Sequence, residues 1–311
     1  AGVTGEQVKT PDLLRQVVGA YQAVLAAANS EVGAGDTLSS EAAALTESTF
    51  AAIGVDLPKN SSGVVIPEVL ESVKATVNAL ASSPVLDVVA LQRSVNAITE
   101  IHQLADGGVT NDATKAKALD VADLVAAGVS ISSETVADAM GSALDGLNFA
   151  KVNTPAKLQG VVDAYAKILA EANEAEPVAG KDYSNKDNVA DSTPTADPLA
   201  SDFATIGANL PGITNVLGSV DVENLHLLND TLKRKAASQV DTIAELNALG
   251  EAVQTVMAQV ALSGGASITS VTDEDKQKWL NTFKTLGVTG LDIGTADDPG
   301  NIAEVLNRLI A

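Results

Sequence analysis

Residues 7–29 read QVKTPDLLRQVVGAYQAVLAAAN, and residues 151–173 read KVNTPAKLQGVVDAYAKILAEAN. Twelve of the twenty-three positions are identical across a separation of 144 residues. In the first copy Leu14, Val17, Val18, Tyr21, Val24, Leu25 and Ala28 recur at helical spacing and form one apolar face. In the second copy the face is Leu158, Val161, Val162, Tyr165, Ile168, Leu169 and Ala172. Thr10-Pro11 and Thr154-Pro155 give each helix its start. A threonine hydroxyl caps a free N–H, and proline at the first helical position has no N–H to lose. No side chain in the stretch is poised for chemistry, so the copied element is a building block.

Two looser copies follow the same spacing. One is Leu91-Gln92 with Val95-Asn96-Ala97 and Ile98; the other is Leu246, Ala252 and Val253, introduced by Asp241-Thr242. A second motif recurs between these helices: FAAIGV at 50–55, LVAAGV at 124–129, FATIGA at 203–208 and FKTLGV at 283–288. Its glycines, Gly54, Gly128, Gly207 and Gly287, each follow a large apolar residue by four positions. This is how a helix ends when glycine adopts the left-handed cap conformation. A third helix type follows, in PEVLESVKATVNALA (67–81), SSETVADAMGSALDGL (132–147), VENLHLLNDTLKRKA (222–236) and NIAEVLNRLIA (301–311). Only GVVI at 63–66 and SITSVT at 267–272 read as short extended pieces.

The expected fold is all-α: a tandem array of three-helix units, as bundles or a solenoid, with about twelve main helices. Residues 1–38 read as the third helix of an incomplete unit, and 39–108 and 109–180 as repeat units. Residues 181–265 form another, with an acidic loop at 174–202, and 266–311 supply the first two helices of a last, incomplete unit. The two incomplete units are complementary. That phase predicts head-to-tail contact in which Leu14, Val17, Val18 and Tyr21 meet Ile302, Val305, Leu306 and Leu309, from a second copy or from neighbouring repeats of a longer chain.

The apolar runs, above all Val161-Val162-Asp163-Ala164-Tyr165 and Leu286-Gly287-Val288-Thr289-Gly290, resemble helical repeats of very long secreted or surface-anchored bacterial proteins, often described as adhesins or calcium-binding repeat proteins. The resemblance covers nearly the whole chain. It implies an extracellular structural or adhesive role and carries over no catalytic residue. The chain departs from the pattern in its irregular spacing and its acidic insert.

Composition narrows the function classes. Of 311 residues, 46% are hydrophobic and only 3% aromatic, and mean hydropathy is +0.17, so the chain can bury a core of small aliphatic side chains. The net charge of −21 argues against nucleic-acid binding, which needs clustered cations, and against direct membrane contact. With no cysteine there is no disulfide or thiolate site, which suits the cytosol and cysteine-poor exported proteins alike.

The insert EAEPVAGKDYSNKDNVADSTPTADPLASD offers oxygen ligands for Ca²⁺ at Asp182, Asp187, Asp191 and Asp197, without EF-hand spacing. The rival reading is a solvated loop. TDEDKQKW at 272–279 reads as a helix start, its acids placed for the helix dipole. His102 and His226 lie on different helices without partners at metal or triad spacing. Lys233-Arg234-Lys235 ends a helix, where cations suit the dipole, and Trp279 packs in the core or marks an end interface. Gly107-Gly108 and Gly264-Gly265 read as caps or linkers. Together these features point to a non-enzymatic, secreted structural protein with no cofactor beyond calcium. Its rivals are a peptide-binding helical scaffold, which needs an exposed apolar groove, and an enzyme, which needs a buried carboxylate pair.

Overall fold

The computed structural model describes residues 2–30, 37–80, 87–108, 119–131, 133–172, 197–213, 220–262, 272–294 and 300–310. Among these residues the fold is helical throughout. The expected extended piece at 63–66 is a single bridge between Lys59 and Val65, and residues 267–271 lie outside the described set. Two compact units divide the chain, 1–163 and 164–311.

The first unit contains α1 (Pro11–Ala28), α2 (Ser40–Ala43), α3 (Glu47–Ala52), α4 (Pro67–Ala79), α5 (Val88–Leu104), α6 (Val121–Ala126) and α7 (Glu134–Gly146). The boundary falls inside α8 (Pro155–Ala172). The second unit continues with α9 (Ala200–Thr205), α10 (Val222–Leu232), α11 (Ile243–Leu262), α12 (Asp273–Thr285) and α13 (Ile302–Ile310).

The four long helices of the opening type start alike. Each begins from a side-chain cap four residues before its anchor leucine. Thr10 Oγ1 accepts from the Leu13 N–H, Asp87 Oδ1 from Ala90, Thr154 Oγ1 from Lys157 and Thr242 Oγ1 from Glu245. Such a cap is worth about 1 kcal/mol.

The four predicted glycine ends also share one geometry. Gly54, Gly128, Gly207 and Gly287 have φ of 77°, 91°, 82° and 79°. The N–H after each glycine donates to the carbonyl of the large apolar residue: Val55 to Phe50, Val129 to Leu124, Ala208 to Phe203 and Val288 to Phe283, at 2.8–3.1 Å. The glycine N–H bonds one residue further on, to Ala51, Val125, Ala204 and Lys284. This is the Schellman motif, which satisfies carbonyls the helix leaves open. At Gly128 a Cβ would stand 3.0 Å from the Pro155 ring, so α8 enters directly over this cap.

The core follows the stripes. In α5 Leu91, Val95, Ile98 and Ile101 are buried, and α4 and α6 pack on either side. In α11 Leu246, Leu249, Val253 and Val256 are buried, against α10, α12 and α13. Phe50, Leu124 and Phe203 are almost wholly enclosed. Burying such a side chain contributes about 1.5–3 kcal/mol.

Candidate functional site

Among the described residues no group of three or more His, Asp or Glu side chains is placed to hold a metal ion. Asp182, Asp187 and Asp191 lie outside the described residues; Asp197 lies within them. The Asp197 carboxylate accepts from Lys233 Nζ at 3.3 Å, and the same ammonium stands 3.2 Å from Glu171 Oε1. Glu171 is only 1% exposed, in the last turn of α8 between the stripe residues Leu169 and Ala172. Burial works against the Lys233 charge, but the two carboxylates outweigh it and hold this lysine above its ordinary value. The sequence reading of Lys233 as a dipole complement is therefore incomplete: its ammonium neutralises a buried carboxylate. Lys235 lacks that compensation, and burial lowers its pKa.

Other candidates resolve into structural roles. Thr272 caps α12, and Asp275 reaches back to the Thr272 N–H and hydroxyl. Those bonds hold the Asp275 carboxyl below the usual range. His102 stacks edge-on against Phe149, with ring centres 4.6 Å apart, while His226 sits half-buried on α10. Trp279 is half-buried and tilts against Phe283 at 5.6 Å. Tyr165 is fully enclosed, and its hydroxyl has no partner; burial, with Asp241 and Glu245 nearby, pushes its pKa far up. Gly107 and Gly108 both take positive φ just beyond α5, and Gly264 and Gly265 lie outside the described residues.

A recurring polar contact escaped the sequence reading. Gln92, the residue after an anchor leucine, grips the main chain of Asp56: its Oε1 accepts from the Asp56 N–H at 2.8 Å, and its Nε2 donates to the Asp56 carbonyl at 3.0 Å. Gln159 treats Ser130 identically, at 2.7 and 3.1 Å. Asn247 Oδ1 accepts from the Asn209 N–H at 2.8 Å. Each gripped residue stands two positions after a cap glycine. Asn96 and Asp163, one turn further along α5 and α8, accept from Gln92 and Gln159 and orient the amides. The signal available in sequence was an amide after the anchor leucine, visible at Gln92, Gln159 and Asn247.

The residues expected at an assembly interface divide sharply. Leu14 is 49% and Val18 48% exposed, while Val17 and Tyr21 are half-buried. Ile302 and Leu306 are fully buried within the chain, against α11 and α12, and have no surface left for a neighbour. Val305 is half-buried, and the Leu309 side chain lies outside the described set. Val288, just beyond the α12 cap, is 41% exposed.

No described helix is long and apolar enough to cross a membrane. No protein family, curated protein or solved structure matches the chain.

Proposed function

We propose that this chain is a non-enzymatic structural or adhesive protein of the cell exterior, built as a tandem array of three-helix units and associating with copies of itself. One observation carries the reading: the same capped start, the same glycine end and the same amide grip recur at corresponding positions along the chain. Such recurrence suits a scaffold whose parts do one mechanical job repeatedly. The resemblance to secreted bacterial repeats supports the exterior location, and the lack of cysteine is compatible with it. In the charge cluster of Lys233 with Glu171 and Asp197, the ammonium pairs with both carboxylates within the second unit. Negative-stain microscopy across a concentration series, with and without calcium, tests this. Rods or short chains of copies are expected at high concentration. A calcium-dependent change would support the acidic insert as an ion site, to which Asp197 is already committed through Lys233. Strict monomers at every concentration would remove the self-associating form.

A further inference from the structure

The N-terminal part of α1 aligns in sequence with α5 at a constant offset. Leu14, Val17, Val18, Ala20, Tyr21, Val24 and Ala27 correspond to Leu91, Ser94, Val95, Ala97, Ile98, Ile101 and Leu104. All seven in α5 are buried. In α1 burial is confined to Val24, Ala27 and Ala28 at the C-terminal end; in the N-terminal half Leu14 and Val18 are exposed and Val17, Ala20 and Tyr21 half-buried. In α5 and α8 that half lies where the amide grips the turn after a cap glycine. Those turns are closed over: Val55 is 2% and Val129 3% exposed. The turn after α12 has the same Schellman geometry, yet Val288 is 41% exposed, and Gly287 is exposed where Gly54 and Gly128 are half-buried. Leu286 and Phe283 are also less enclosed than Ile53 and Phe50.

We infer that the open N-terminal half of α1 and the open turn at 288–290 are the two halves of one junction, joined between copies of this chain. The inference rests on the self-associating reading above. It names the contact: Leu14 and Val18 cover Val288, with residue 15 over the main chain of Thr289. The occupant is a second copy because the chain's own interior shows, at 55–56 with 91–92 and at 129–130 with 158–159, what covers each half.

The junction between copies is weaker than the internal ones, for a chemical reason. Where α5, α8 and α11 carry Gln92, Gln159 and Asn247, α1 carries Arg15; where α5 and α8 carry Asn96 and Asp163, it carries Gly19. A guanidinium donates to a carbonyl but accepts nothing, so the Thr289 N–H gains no acceptor. Each copy also bears a net charge of −21, and mutual repulsion opposes contact until salt screens it.

Sedimentation velocity on the full chain tests the assignment. Association of the unmodified protein should strengthen between low and moderate salt. Arg15→Gln with Gly19→Asp restores the grip and should tighten association by about tenfold, the effect of one or two added neutral hydrogen bonds. Adding Thr289→Pro to that pair removes the N–H and should reverse the gain. Val18→Asp should abolish association, with helix content unchanged by circular dichroism because the site is exposed. An Arg15→Gln/Gly19→Asp chain no tighter than the parent, or a Val18→Asp chain that associates as the parent does, overturns the junction. Rods persisting in Val18→Asp place self-association on another face and leave the proposed function standing. Monomers throughout, including the tightened pair, overturn both.

Discussion

Helices α1 and α8 carry one sequence pattern in two surroundings. Leu158, Val162 and Tyr165 are 2%, 3% and 0% exposed; the matching Leu14 and Val18 are about half exposed and Tyr21 half-buried. Both helices start from the same threonine cap and both reach eighteen residues. The helix itself therefore follows from local signals and needs little cover at its first turns. What cover adds is energy, and polar detail appears only where cover exists: Gln159 grips a turn, and Arg15 pairs with Asp12 in solvent.

Paired substitutions break that comparison, and the largest effect is expected from charge. Val162→Asp places an unpaired carboxylate in the core and should destabilise the fold by about 4 kcal/mol or more in urea titration, the upper range for single changes. Val18→Asp should shift the midpoint by less than about 0.5 kcal/mol, as surface changes do. Lys233→Met comes next. It removes the ammonium that stands 3.2 Å from the buried Glu171 carboxylate, and a loss of about 3 kcal/mol is expected, the lower end for breaking a buried pair.

The pH dependence follows from the raised pKa of Lys233. Its stabilising effect is fully present below the ordinary lysine value and is lost as pH rises through the higher folded value. Thermal melts should therefore fall above about pH 10.5 in the parent, and fall less in Lys233→Met. Leu158→Ala against Leu14→Ala sharpens the contrast in apolar area. About 2–5 kcal/mol is expected at the buried site and under about 1 kcal/mol at the open one. The smallest difference concerns the caps. Gly128→Ala and Gly287→Ala both strain a positive φ, at about 1–2 kcal/mol. The former should cost more, because Pro155 lies 3.0 Å from the new Cβ and only Lys235 Nζ approaches Gly287, at 3.9 Å.

The glycine ends and the threonine starts were legible in sequence because each depends on a few adjacent residues: a positive φ, a hydroxyl, a proline. The helices at 67–79, 134–146 and 222–232 were legible from spacing for the same reason. Features set by distant partners were not. Glu171 is buried beside the apolar stripe of α8, and only the fold brings Lys233 to it across 62 positions of chain. The amides at Gln92, Gln159 and Asn247 were visible in sequence, but what they grip was not, because main chain leaves no mark on residue type. The interface expectation at α13 failed for Ile302 and Leu306 because an amphipathic face does not announce which neighbour it meets, and α11 and α12 of the same chain take it. The break between α2 and α3 was likewise unreadable, since Thr46 starts a fresh capped helix directly after the buried Leu45.

The grip on main chain has a consequence for how freely this sequence can change. Gln92 and Gln159 hold peptide groups, and the residues at those points are as different as Asp56 and Ser130. Fastening is thus uncoupled from side-chain identity on one of its two sides. A substitution at 56 or 130 by any residue but proline, which lacks the gripped N–H, needs no answering substitution at 92 or 159. The outer surface beside each fastening can take on new chemistry while the helices beneath it stay in register.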